Sequence, residues 1–126
     1  MLKKEVLLIG INPQFIDFSN LPSEINAEMI RQEAVLANEQ LIAAGYNIYN
    51  CFIDLGETAE ATIMDLLDAH KFDCIMIGAG VRTLPEHTVL FEKVINLIHS
   101  HAPLSKICFN TRPADTLQSV QRWVGE

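Results

Sequence analysis

Asp73-Cys74-Ile75-Met76-Ile77-Gly78-Ala79-Gly80-Val81-Arg82 decides the fold of this chain. Cys74 to Gly78 holds no polar side chain, the pattern of a strand covered on both faces by helices in a parallel sheet. Gly78 and Gly80 then stand where such a strand turns back toward a helix, and a glycine there lets the backbone approach a bound group closely. Arg82 falls just past the strand's carboxyl end, the edge at which open α/β sheets bind ligands.

The same pattern occurs at Val6-Leu7-Leu8-Ile9-Gly10-Ile11, which predicts a first central strand. Residues 12–23 follow it as a connection longer than α/β units commonly use. Phe15, Ile16, Phe18 and Leu21 are set there among the turn formers Pro13, Asp17, Asn20 and Pro22. This segment, residues 13–22 at its heart, is either a lid over a site or a packed flap closing the core. Its apolar side chains need burial, which favours the flap.

Ala27, Ile30, Ala34, Ala37, Leu41 and Ala44 step by three and four along one helix face, and Gly45 is placed to stop that helix. Residues 48–54 read as strand two. Asn47, Tyr49 and Asn50 make it more polar than strands one and three, which puts it at an edge of the sheet. Residues 57–70 predict a second helix with Ala59, Ile63, Leu66 and Leu67 inward. After strand three, Thr83 and Glu86 have capping-box spacing with Pro85 in the first turn, so a third helix is expected from Leu84 to about His101. Residues 106–110 predict strand four, and Leu117, Val120 and Val124 share one side of a short last helix.

Four β-α repeats with right-handed crossovers give one α/β domain over residues 1–126. It is a three-layer α/β/α sandwich whose four-stranded parallel sheet has the order 2-1-3-4, flavodoxin-like and Rossmann-like in topology. Strands one and three then meet at the switch point. Asn12, Gly78, Gly80 and Arg82 fall at their carboxyl ends, with Asn110, Thr111 and Arg112 beside them at the end of strand four.

Composition bounds what this edge can bind. The 126 residues are 49% hydrophobic and 20% charged with a net charge of -7, which argues against nucleic acid as a partner. No apolar run approaches the length that spans a bilayer, so no membrane association is expected. Cys51, Cys74 and Cys108 are an odd set within strands and without a C-x-x-C pair, which suggests reduced core thiols in a cytoplasmic protein.

Candidate chemistry gathers at the carboxyl edge. Arg82 and Arg112 follow adjacent strands and so can close on one small anion, a phosphate or a carboxylate; in the plainer alternative Arg82 pairs with Glu86 and Arg112 is a solvated turn residue. Gly78-Ala79-Gly80-Val81-Arg82-Thr83 has the first two glycines of a dinucleotide fingerprint but Thr83 in place of the third, so no dinucleotide cofactor is inferred. Pro13-Gln14-Phe15 cannot imitate a flavin-phosphate loop, and Asn12-Pro13 stands where a phosphate-accepting receiver needs acidic residues, which leaves Asp54 without partners for that role. The cofactor is left open. His70, His87, His99 and His101 lack the spacing of a metal site. His87, at the start of the third helix, is the one candidate acid or base, against the reading of a surface histidine at a helix start.

The sequence therefore points to a small-anion or nucleotide binding domain, with enzyme activity left open. The alternative is a non-catalytic interaction module that forms a homodimer through an exposed helix or strand two, with Phe15 to Phe18 as a further contact.

Overall fold

A computed structural model describes residues 3–19 and 21–125. Four strands, β1 (Glu5–Ile11), β2 (Asn47–Ile53), β3 (Cys74–Ile77) and β4 (Lys106–Phe109), form a parallel sheet in the order β2-β1-β3-β4. The helices are α1 (Ala27–Ala43), α2 (Ala59–Ala69), the single turn α3 (Ala79–Arg82), α4 (Thr88–His101) and α5 (Thr116–Val124). This is the three-layer, flavodoxin-like arrangement that the two uninterrupted apolar strands imply.

Alternation along the strands divides the core into two halves. Leu7, Ile9, Ile11, Ile75 and Ile77 pack with Ile63 of α2 and with Leu90, Val94 and Ile98 of α4. Val6, Leu8, Cys74, Met76 and Cys108 turn the other way, onto Leu41 of α1 and Val120 of α5. Both faces of β1 and β3 are thus dry. No helix among the described residues is long and apolar enough to cross a membrane.

At β2 the backbone hydrogen bonds show which way each residue points. Asn47 donates to the Lys4 carbonyl and the Ile53 carbonyl accepts from Asn12, so the odd-numbered residues turn their polar backbone groups to β1. Ile48, Asn50 and Phe52 therefore direct theirs outward, along the open edge of the sheet. The sequence expectation of an edge strand holds here.

Gly45 ends α1 at φ 99°, a left-handed conformation that favours glycine. The third-helix expectation needs correction. Thr83 does not cap it: its hydroxyl donates to the Ala79 carbonyl and closes α3 instead, and the chain then passes through a 3-10 turn, Pro85–His87, so that α4 begins only at Thr88. The second helix also starts later than Glu57. The Asp54 carboxylate accepts from the Gly56 and Thr58 N–H groups and from the Thr58 hydroxyl, holding residues 54–58 as a loop.

Candidate functional site

The carboxyl ends of the strands are built around the turn after β3. Gly78 fits closely here, since a Cβ would lie 3.2 Å from the Ile9 carbonyl oxygen of β1, a tight contact that favours glycine. The chain then coils at once into α3, whose first N–H, at Ala79, donates 2.9 Å to the Asn110 side chain beyond β4. Asn110 is buried and donates in turn to the Thr116 hydroxyl at 3.0 Å. Asn110 therefore ties the β3 turn to the start of α5.

The flap lies over this turn. Pro13 is buried, Ile16 packs against the core, and the Ile16 Cδ1 atom would lie 3.6 Å from a Cβ on Gly80. In this conformation the segment is anchored through Pro13 and Ile16, while Phe15 stays 38% exposed. Asn12 accepts from the Gln14 N–H and caps the flap's 3-10 turn, Pro13–Phe15. Asn20, counted above among the turn formers, lies outside the described residues.

The two arginines meet different partners. Arg82 donates to the Asn110 carbonyl and its guanidinium carbon stands 4.9 Å from the centre of the Phe109 ring, a cation–π contact. Glu86 is not its partner. Arg112 forms a two-pronged ion pair with Glu33 of α1, its Nε 3.3 Å from Oε1, so it is not a free solvated turn residue either. The Thr111 N–H and hydroxyl both bind Asp115, which also accepts from the Arg112 N–H. Gly78, Gly80, Arg82 and Asn110 are thus joined in one unit, while Asn12, Thr111 and Arg112 serve separate local structures.

His87 is the residue that the structure brings forward. It is only 5% exposed, and its Nδ1 lies 2.7 Å from the Gly80 carbonyl. A carbonyl only accepts, so Nδ1 carries the proton and the ring is held in one orientation, with Nε2 left for another partner. The ring lines a cleft of about 220 Å³ with Leu55, Gly56, Glu86, Val89, Leu90 and Lys93. This cleft opens at the carboxyl edge between the β2–α2 loop and the start of α4. Sequence spacing placed His87 near the edge; its burial was hidden because the 3-10 turn rotates it inward.

Gly56, at φ 134°, gives the opposite wall its shape. Among the described residues no three His, Cys, Asp or Glu side chains come together as a metal site. The thiols lie away from this edge: burial pushes Cys51 up to about 11, and the Cys108 thiol 3.4 Å away, together with burial, holds Cys74 protonated.

Two carboxylates of this edge give a pH dependence. Hydrogen bonds from Thr58, then from the Gly56 N–H, hold Asp54 below its ordinary range. Burial pushes Asp115 up, but bonds from the Thr111 hydroxyl and N–H outweigh it and the net shift is downward. A carboxylate lowered by folding stabilises the protein above its unfolded pKa, and that contribution is lost as pH falls through the folded one. Melting temperature is expected to fall below about pH 4, and Asp115→Asn is expected to flatten that acid limb of a melting-temperature profile relative to the parent.

Taken together, fold and site define an α/β domain with a small histidine-lined cleft at the carboxyl edge of its sheet. No protein family, curated protein or solved structure matches the chain, so its function is argued from geometry alone.

Proposed function

We propose that this protein binds a small ligand bearing a carboxylate or phosphate, seated in the cleft between the β2–α2 loop and α4. The observation that carries the reading is His87: a buried imidazole fixed through Nδ1 by the Gly80 carbonyl, beside a cleft walled by the apolar Leu55, Val89 and Leu90 together with Glu86 and Lys93. Apolar walls with a few converging polar groups are what a small-molecule site uses. With its proton on Nδ1, the His87 ring leaves Nε2 as an acceptor that takes a hydrogen bond or a proton from a ligand hydroxyl, and Lys93 supplies the charge opposite to the carboxylate or phosphate. If the domain is an enzyme, proton transfer at Nε2 is the step this arrangement performs. The three buried free thiols support a reducing, cytoplasmic setting.

A second seat on the same edge is favoured by one observation. The Arg82 Nε is buried and has no hydrogen-bond partner among the described residues, so an anion at the end of β4 would find a donor there. Such a seat would correspond to the anion site anticipated from the sequence, with Arg82 alone in place of an Arg82–Arg112 pair.

The test is a thermal-shift screen against inorganic phosphate, short carboxylates, nucleotides and sugar phosphates. A ligand at about 100 times its dissociation constant adds about 2.7 kcal/mol, a rise of several degrees. One class is expected to give a saturable rise that Lys93→Ala abolishes; Lys93 is exposed, so the variant keeps its fold. A rise lost in Arg82→Ala but kept in Lys93→Ala moves the seat to β4, and no saturable rise with any class ends the proposal.

A further inference from the structure

We infer that two copies of this chain pair through their β2 strands, antiparallel about a two-fold axis at Asn50, and join their sheets into one. The two edges of the sheet are unequally protected. β2 is seven residues long, Asn47-Ile48-Tyr49-Asn50-Cys51-Phe52-Ile53, and contains no Asp, Glu, Lys, Arg or Pro. Edge strands that must stay single are normally kept so by charges, prolines, bulges or a covering element. β2 has none of these in its sequence, and Phe52 on it is 54% exposed.

Self-pairing fits the outward groups of this strand. Ile48, Asn50 and Phe52 present their N–H and C=O groups to the open side, as derived above from the bonds to Lys4 and Asn12. With the axis at Asn50, each Asn50 exchanges both bonds with Asn50 of the second copy. Ile48 then does the same with Phe52 of the second copy, and Phe52 with its Ile48. Ile48 and Phe52 share one face, so every hydrogen-bonded flank becomes an aromatic–aliphatic pair, a favourable cross-strand combination. The two central asparagine amides meet each other, and no charge is buried.

Above the strand, α1 continues the same surface. Glu33 of α1 reaches Arg112, in the turn between β4 and α5. Val35 and Ile42 lie on roughly the opposite side of the helix from Glu33, hence on the flank over β2, and both are exposed. They supply apolar area beyond the strand pair itself, and such pairing is isologous and closes on two copies. Open-ended growth through the far edge is blocked. β4 has four residues, begins with Lys106, and its outward Phe109 carbonyl already accepts from Arg122 at 3.0 Å.

Sedimentation or light-scattering mass measurement of the full chain tests this. At about 100 μM, which reports dissociation constants into the micromolar range, the parent is expected at twice the chain mass. Asn50→Lys sets like charges against each other on the axis and is expected to weaken pairing on the order of a hundredfold. Asn50→Asp does the same, while an equal mixture of the two variants restores the pair. Circular dichroism and melting show that each variant is folded, since the Asn50 side chain is exposed. A monomeric parent, a parent whose mass grows without limit, a pair indifferent to Asn50→Lys, or a mixture that stays monomeric overturns the inference.

Discussion

Ile75→Ala will lower stability by about 3–4 kcal/mol, within the 2–5 kcal/mol typical of a buried Ile truncated to Ala. Ile75 is 0% exposed on β3, aligned with Leu7 of β1 on one side and Ile107 of β4 on the other. It belongs to the core half beneath α2 and α4, where rigid strands on both sides leave little room for collapse around a cavity. For a domain of this size that loss lowers the melting temperature by roughly 10–15 °C. Chemical denaturation should show a lower midpoint with an unchanged slope. Ile75→Val, which leaves a much smaller void, is expected to lose only about 1 kcal/mol. Equal losses for the two variants would mean that the site is not a packed core position.

The second large effect belongs to Asn110. Its side chain accepts from the Ala79 N–H and donates to the Thr116 hydroxyl, in a position only 3% exposed. Alanine there leaves the partly buried Ala79 N–H without its acceptor and removes a donor from Thr116 in one step, which costs about 2–4 kcal/mol when each unsatisfied group contributes 1–3 kcal/mol. α3 loses the bond that Asn110 gives its first N–H from outside, and the Gly80 carbonyl that orients His87 is expected to loosen as well. Asn110→Ala is therefore expected to reduce ligand-induced thermal shifts in addition to the melting temperature. Asn110→Asp keeps the acceptor toward Ala79 and should retain more of both. Amide hydrogen exchange at Ala79 separates the two variants directly, with fast exchange expected in the alanine variant alone.

These two residues also mark what could be read without coordinates. Ile75 was legible because its strand carries no polar residue: continuous apolarity over that length leaves burial on both faces as the physical outcome, and the sheet order follows from crossover handedness. β2 was legible as an edge for the converse reason, its asparagines. The role of Asn110 was not. It caps a helix from a different strand, 31 residues along the chain, and no local pattern announces such a bond. Arg112 fails in the same way, since Glu33 lies 79 residues earlier and the ion pair depends on how α1 settles on the sheet.

Thr83 shows a different failure. Its spacing to Glu86 fits a capping box, but its hydroxyl has a nearer acceptor in the Ala79 carbonyl, and the preference of Ser and Thr for local backbone bonds prevailed. The resulting single turn moves the start of α4 by several residues and turns His87 from the surface into the cleft. The strand order thus fixed which residues lie at the carboxyl edge of the sheet, while their partners were set by tertiary contacts.

The position of β1 in the middle of the sheet has a consequence for synthesis. β1 is the earliest strand of the chain, yet its two neighbours are β2 and β3, and β3 is complete only at Ile77. At translation speeds of about 5–20 residues per second, roughly 70 residues separate the two, so the apolar strand Val6 to Ile9 waits on the order of several seconds before its second side is paired. The cover available to Val6 and Leu8 before β3 emerges is Leu41 of α1, so early packing of that helix on β1 is the order in which this chain is expected to assemble.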